Sequence, residues 1–428
     1  MHNILSQDIN DYLRSARNTM SRNKVIMENF SYITLMQLFL LAAPLLTYPY
    51  LTRVLGMELY GLVITANVLA GYATILVRFG FDAISARHVS LNRKDREKLS
   101  EIMSSIISIR FLLWIMSFLF YLVVVILVPL YRSHFLLFLY SFGLTLNTLL
   151  FPRFFFQGIE KMKYITIVNV LIQLVFVVLT FFVIKSQEDY LYVPLLHTAG
   201  YFLGGIASFY IIYGRYRLKF GIPDHKISSF YFKDALPIFS TDAICTIKDR
   251  LNYILLGFCV GLENVVIYDV GSKIMGICLE PTYIINTVIF PKMARDSNDM
   301  QFKKVAIIMI VVLLAMVFLA NFFLHPIVLF LVGREIDLLP VRLYTLAPLL
   351  VGFSGFINQQ LIIGRGYNRF VLYSIIVTTI AYLIMLGFFF FVGHLNTVTV
   401  FVGLTVLSYF VELIYRLGVA NSIIKKRI

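Results

Sequence analysis

Long apolar segments follow one another along almost the whole chain, and short stretches rich in Lys, Arg, Gly and Pro separate them. A helix needs roughly 20 mainly apolar residues to cross the hydrocarbon core of a bilayer. The pattern therefore predicts an all-α integral membrane protein of about twelve transmembrane helices, which lie near residues 29–53, 59–81, 104–130, 134–156, 164–184, 190–213, 236–260, 264–291, 305–332, 338–363, 370–392 and 396–417.

Composition excludes a water-soluble protein. Of the 428 residues, 59% are hydrophobic and only 14% are charged, and the mean hydropathy is +0.83, whereas soluble domains carry about 25% charged residues. The first apolar run, residues 29–55, is too long for the core of a signal peptide, and no small-residue cleavage site follows it. We therefore expect this run to be retained as the first span.

The positive charges predict the orientation in the membrane. Of the 29 Lys and Arg residues outside the predicted helices, 25 lie on one side, in the two terminal segments and alternate loops. Under the positive-inside rule, both termini are predicted to be cytoplasmic. The net charge of +14 is spread between apolar runs rather than gathered on one module, so it favours this topology and predicts no nucleic-acid partner.

The longest polar connection divides the twelve helices into six and six. A shift of 205 residues superposes residues 55–58 (LGME) on 260–263 (VGLE), and Gly71 on Gly276. Both tetrapeptides lie at the turn between the first two helices of a half, as two related bundles require. The predicted organisation is a cytoplasmic segment at 1–28, bundles at 29–213 and 236–417, a cytoplasmic linker at 214–235 and a tail at 418–428.

No motif for catalysis or cofactor binding occurs. The chain has no G-x-x-x-x-G-K-[ST], G-x-S-x-G or H-E-x-x-H sequence, and its seven histidines show no metal-ligand spacing. Its three cysteines all lie in apolar runs, which predicts no disulfide framework. The sequence thus predicts a protein that is not an enzyme, with no cofactor and no metal site.

Charges near the middle of the seventh and eighth predicted helices are the main candidates for function. One charge at a helix centre costs about 2.5 to 3.5 kcal/mol on insertion scales, so the seventh helix, with four charges, is predicted not to face lipid. At 100° per residue, the two acidic residues of this helix share a face and one lysine points away. At least one cation is predicted to face a cavity. The four charges are Asp242, Lys248, Asp249 and Arg250.

The eighth predicted helix carries Asp269, Lys273 and Glu280 on one narrow stripe, which indicates a hydrated lumen. The alternative is an ion-pair latch that holds the second bundle together. In that latch Asp269 would pair with Lys273, and Glu280 would reach across to Arg250 or Lys248.

Other helical charges lie within two turns of the cytoplasmic ends, where long side chains can extend to the interface. Glu412 and Arg416 are predicted to form a surface pair. Arg78 and Asp82 have the same spacing but also share a stripe with Asn67 and Gly71, so for them pairing and cavity lining both stay open. The helices hold eight cations and six anions, which favours an anionic cargo over a cationic one. The charges near cytoplasmic ends are Arg78, Asp82, Arg110, Arg153, Glu412 and Arg416.

Several stretches resemble the multidrug/oligosaccharidyl-lipid/polysaccharide exporter superfamily, and within it the bacterial O-antigen flippases of the Wzx type. Two positions depart from the family pattern, since Phe154 stands where Trp is usual and Val266 where Gly is usual. The similarity covers most of the chain from about residue 20. It rests on PL at 44–45, PYLTRVLG at 49–56, YG at 60–61, FGF at 79–81, SAR at 85–87, FP at 151–152 and FQGIEKMKY at 156–164.

The resemblance implies a two-lobed, MATE-like transporter in the bacterial inner membrane. It would move an undecaprenyl-diphosphate-linked oligosaccharide, the O-antigen repeat unit, across that membrane by alternating access. Membrane lipid, H⁺ or Na⁺ as coupling ion and polysaccharide assembly proteins are the implied partners. With this cargo, the predicted binding residues are Lys248, Arg250, Lys273 and Arg78, and the predicted coupling or ion-pair residues are Asp249, Glu280, Asp269, Asp242 and Asp82.

Two other functions compete with this interpretation. A cation-coupled multidrug exporter of the same fold would be expected to gather acidic residues in its first bundle, and the first predicted helix has none at mid-membrane. An O-antigen polymerase would need a large periplasmic loop, whereas no outer loop here exceeds about ten residues. Both alternatives are therefore ranked below the flippase.

Overall fold

The computed structural model describes residues 2–221, 223–295, 299–367 and 369–425, and no strand occurs among them. The first helix, His2–Arg78, breaks at Gly56, where φ is 77° and ψ is 164°. We call the part before the break α1 (2–55) and the part after it α2 (57–78). Glycine allows this break because an L side chain at positive φ is strained.

Ten further long helices follow. Short helices at Phe81–Leu91, Pro129–Ser133 and Leu324–Val332 connect some of them. The long helices are α3 (Arg96–Leu127), α4 (Phe135–Gly158), α5 (Met162–Val183), α6 (Gln187–Arg215), α7 (His225–Cys259), α8 (Leu262–Arg295), α9 (Asp299–Phe322), α10 (Leu339–Ile363), α11 (Arg369–Phe391) and α12 (Val398–Lys425).

Nine helices of the described ranges are long and apolar enough to cross a membrane. One of the nine, Ser31–Leu91, covers the second part of α1 and all of α2, while α7 and α8 have sufficient length but carry the charges discussed above. The prediction of an all-α multi-pass membrane protein is therefore confirmed.

Two predicted boundaries differ from the structure. The first helix begins at His2, far before residue 29. Helix α7 begins at His225, because the Asp224 carboxylate caps it by accepting a hydrogen bond from the Lys226 amide at 2.8 Å. The second part of the predicted linker 214–235 is therefore helical.

Three hydrophobic cores show how the two halves meet. The largest contains side chains from both halves, among them Leu55 and Tyr131 from the first and Val266 and Val332 from the second. Its members lie toward the end of the molecule that holds the α1–α2 turn. Here the halves approach closely, since a Cβ added at Gly61 would lie 1.9 Å from the carbonyl oxygen of Leu262.

At the opposite end, the two halves have separate cores. One gathers side chains of the first half and the start of α7, including Phe79, Phe154 and Ala235. The other belongs to the second half and includes Phe302 and Phe356. At this end, which carries most of the cations, α7 packs against the first half, while the other described helices of the second half form a core of their own.

Candidate functional site

A cavity of about 530 Å³ lies between the two halves. Helices α1, α2, α5 and α6 form one wall, and α7, α8, α10 and α12 form the other. Pro44 of α1 lines it, and proline inside a helix leaves a backbone carbonyl without its usual partner. This volume is within the range of small-molecule sites.

The charges of this cavity all come from the second half. Asp249 and Arg250 of α7 and Asp269 and Lys273 of α8 line it, while no lining residue of the first half carries a formal charge. The first-half wall offers neutral polar groups instead, which are Thr47, Asn67, Gln173 and His197 together with tyrosines 48 and 60.

Arg250 is the cation of the cavity without a close carboxylate. Within the described ranges, no acidic side chain lies within 4.0 Å of its guanidinium. The guanidinium lies against α2, where a Cβ added at Gly71 would stand 1.7 Å from its Nη1 atom. The glycine therefore makes room for a cation that faces the cavity.

Lys273 is held by a partner one helical turn away. Its Nζ atom lies 3.4 Å from Asp269 Oδ2 and 5.3 Å from the centre of the Tyr48 ring. Asp269 is only 9% exposed, and it accepts a hydrogen bond from the Tyr253 hydroxyl at 3.2 Å. The intrahelical half of the predicted latch is thus present, and it lies on the cavity wall.

Lys248 points away from the cavity, as its helical position predicted. It is buried, with its Nζ atom 3.2 Å from Asp249 Oδ1 and 4.9 Å from the centre of the Tyr409 ring. Asp249 itself lines the cavity. Lys248, one of the predicted binding residues, therefore does not line this cavity and reaches it only through its contact with Asp249.

Glu280 does not complete the predicted latch. The described part of the chain shows no ion pair of 4.0 Å or less between Glu280 and Arg250 or Lys248. The reason is that Asp249 holds Lys248, and Arg250 turns toward α2.

Arg78 and Asp82 pair with other helices rather than with each other. Arg78 Nη2 lies 3.2 Å from Asp242 Oδ2, which joins α2 to α7 near the cation-rich end. Asp82 lies 2.6 Å from Nη2 of Arg110, a side chain only 1% exposed. None of the three first-half residues lines the central cavity. The expectation that Arg110 extends to the interface is wrong, because it is enclosed by aromatic rings in the first-half core.

The pair of Glu412 and Arg416 forms, with 2.6 Å between carboxylate and guanidinium, but it is buried rather than on the surface. Arg416 is 7% exposed because it also donates hydrogen bonds to the hydroxyls of Ser354 and Ser374 on α10 and α11. The pair therefore joins three helices of the second half.

Sequence reasoning missed the neutral groups of the site apart from Asn67, which lies on the stripe for which cavity lining stayed open. His197 stacks on Phe176 with 3.4 Å between ring centres, and its Nδ1 atom is buried without a hydrogen-bond partner in the described structure. Asn67 Oδ1 is likewise buried without a hydrogen-bond partner in the described structure. A single His, Asn or Gln inside an apolar helix is the only signal that could have indicated them.

A polar network behind the cavity was missed as well. Asn252 of α7 donates to Thr405 Oγ1 at 2.7 Å and to the Tyr268 hydroxyl at 3.2 Å, and it accepts from the Tyr382 hydroxyl. The network links α7, α8, α11 and α12. Fully bonded buried groups make a core rigid, so this network supports the charged wall.

Solved transporter structures share this fold. A multidrug resistance MATE family transporter in an inward-facing conformation superposes with a TM-score of 0.68 over 91% of this chain and 96% of its own, at 11% identity. The lipid II flippase MurJ superposes with a TM-score of 0.72 over 91% of this chain and 87% of its own, at 15% identity. The fold is therefore the one that these transporter structures share, a MATE-like fold as the resemblance implied.

The chain belongs to the polysaccharide biosynthesis protein family, whose pattern matches residues 26–297. Two curated relatives carry the name "Putative O-antigen transporter". The Escherichia coli K12 protein is 24% identical over 64% of this chain and 66% of its own length. The Shigella dysenteriae protein is 25% identical over 59% and 63%. The match thus spans slightly less than two thirds of each relative.

Proposed function

We propose that this protein is a flippase that moves an undecaprenyl-diphosphate-linked oligosaccharide, such as an O-antigen repeat unit, across the bacterial inner membrane by alternating access. The observation that carries the proposal is the cavity between the halves, with cations on one wall and neutral polar groups on the other. Membership of the polysaccharide biosynthesis family supports it.

The two walls would bind the two chemical parts of this cargo. A diphosphate needs cationic donors, and Arg250 offers a planar fork that can bind two phosphate oxygens at once. Lys273 would add a second charge from α8. The sugars need hydrogen bonds and aromatic faces, which Asn67, His197 and the tyrosines of the first-half wall supply.

The acidic residues would stabilise the empty site. Asp269 neutralises Lys273 while no anion is present, and Asp249 does the same for Lys248. An arriving phosphate would compete with Asp269 for Lys273. A buried carboxylate that loses its cation is costly unless it takes up a proton, so this exchange could couple cargo binding to H⁺.

Alternating access would require the shared end to open. The polar contacts there cross between the halves, and they include the Arg53 guanidinium to the Phe330 carbonyl at 3.1 Å and the Thr52 hydroxyl to the Leu331 carbonyl at 2.7 Å. At the opposite end, α7 and the Arg78–Asp242 pair connect the two halves, which otherwise have separate cores. The positive-inside rule favours a cytoplasmic location for the end of the molecule that carries most of the cations. The cavity would therefore load from the cytoplasm.

The test uses a strain that lacks the chromosomal copy and carries the gene on a plasmid. We expect the deletion to accumulate undecaprenyl-linked units on the cytoplasmic side and to lose surface polysaccharide, and we expect the plasmid to restore export. Normal surface polysaccharide in the deletion strain, without a second flippase, would rule the function out. A changed drug sensitivity with normal export would support the multidrug exporter instead.

A further inference from the structure

A second and larger cavity lies at the cation-rich end of the first half, outside the site between the halves. It has a volume of about 810 Å³ and is formed where α3 begins, where α4 turns into α5 and where α6 ends. Two glutamates and six cations line it. The cations are Arg93, Lys94, Arg96, Lys161, Lys163 and Arg215.

Most of these cations have no acidic partner. Glu160 pairs with Arg93 at 2.6 Å. The other five cations have no carboxylate within 4.0 Å in the ranges that the structure describes. Arg215 lies over the Tyr164 ring, 5.9 Å from its centre. A concave surface with unpaired charges of one sign focuses the field and attracts an anion.

The turn that carries two of the lysines is held in place. Glu160 has a φ of 57°, a backbone conformation that non-glycine residues adopt rarely. Asn29 of α1 fixes this turn, because it donates to the Glu160 carbonyl at 3.1 Å and accepts from the Met162 amide at 3.3 Å. Lys161 and Lys163 are therefore presented by an ordered turn.

One rim of this cavity is apolar. Ile167, one turn after Lys163 on α5, lines the cavity and is 47% exposed. On α6, Ile206 and Tyr210 are exposed as well, nine and five residues before Arg215. Cations beside exposed apolar side chains at the end of membrane-spanning helices match a lipid, whose headgroup is charged and whose chains are apolar.

We propose that this cavity binds the phosphate of an anionic lipid headgroup, with Lys161, Lys163 and Arg215 as the main donors. The site is separate from the cavity between the halves, and it does not depend on the cargo proposed above. A bound lipid would attach the first half to its leaflet while the second half moves.

The test measures binding of short-chain phosphatidylglycerol to the purified full chain in neutral detergent, with phosphatidylcholine of the same chain length as comparison. We expect at least about tenfold tighter binding of phosphatidylglycerol. The variant K161Q/K163Q/R215Q should lose about tenfold to hundredfold in affinity, since each basic residue near a lipid surface contributes to binding. The control K303Q/K304Q/K425Q removes three exposed cations from the second half and should stay within about twofold of the parent.

Two further measurements keep the proposal falsifiable. Single variants of Lys161, Lys163 and Arg215 replace the triple variant if it fails to fold, and each should lose about threefold to fivefold. Inorganic phosphate should compete only at far higher concentration than the lipid. Three outcomes would each overturn the proposal. The first is equal binding of both lipids, and the second is an equal loss of affinity in the triple variant and its control. The third is inorganic phosphate that competes as well as phosphatidylglycerol does.

Discussion

The two halves of the molecule use buried charge in different ways. In the first half, Arg110 pairs with Asp82 inside a core of aromatic rings, with Phe154 5.2 Å from the guanidinium carbon, and it lies away from the cavity. In the second half, Arg250 and Lys273 face the cavity itself. The same signal in the sequence, a cation within an apolar helix, therefore marks a packing element in one half and a candidate binding element in the other.

The largest expected effect is a loss of stability when the buried ion pair of the first half is removed. Arg110→Met should lower the free energy of unfolding by about 2 to 3 kcal/mol, less than the 3 to 5 typical of a fully buried pair because Asp82 is 40% exposed. Membrane abundance and the thermal midpoint of the purified protein measure it. Adding Asp82→Asn should recover part of the loss, and a variant as stable as the parent would show that the pair is dispensable.

The second prediction addresses the charged wall. Arg250→Gln should reduce export at least about tenfold while stability changes little, since a charge-assisted hydrogen bond contributes about 1.5 to 3 kcal/mol. Export of surface polysaccharide at matched protein abundance is the measurement. Arg342→Gln is the control, because it removes an exposed cation of α10 that does not line the cavity. Equal export in both variants would contradict a binding role for Arg250.

The third prediction compares two glycines that the internal repeat makes equivalent. Gly71→Ala should reduce export about threefold to tenfold, because the new methyl group collides with the Arg250 guanidinium and displaces it. Gly276→Ala should have little effect, since no atom lies within 4 Å of its added Cβ. If both substitutions reduce export equally, the effect of Gly71→Ala does not arise from displacement of the Arg250 guanidinium.

The smallest expected effect concerns the shared end. Arg334 and Glu263 are both about half exposed, so Arg334→Gln should lower stability by only about 0.2 to 1 kcal/mol. Because Arg334 Nε also lies 2.9 Å from Met57 Sδ of the first half, the substitution should also increase labelling, from the outer side, of a cysteine introduced at Thr47 on the cavity wall. Labelling no faster than in the parent protein would show that Arg334 does not hold the end closed.

Much of the fold follows from the sequence because length and apolarity alone determine a membrane-spanning helix. Spacing along one helix also predicted contacts correctly, as the Asp269–Lys273 and Glu412–Arg416 pairs show. Contacts between helices were not predictable in this way. Arg78 has Asp82 at the favourable spacing, yet it pairs with Asp242 because α7 packs against α2 there.

The neutral part of the candidate site was missed for a related reason. Tyrosines such as Tyr48 and Tyr253 are expected at membrane interfaces, and nothing in their local sequence says that they line a cavity. Their position depends on how two halves, about 200 residues apart in sequence, come together. A single sequence carries no direct record of that arrangement.

The close approach of Gly61 to Leu262 has a mechanical consequence. In the proposed alternating access, this contact near one end of α2 would be the pivot, and Arg78 lies 17 residues further along, about 26 Å at 1.5 Å per residue. A rotation of about 10° around it would displace Arg78 by about 4.5 Å, enough to break its 3.2 Å pair with Asp242. Backbone atoms that barely move at one end would thus set the size of the displacement at the other.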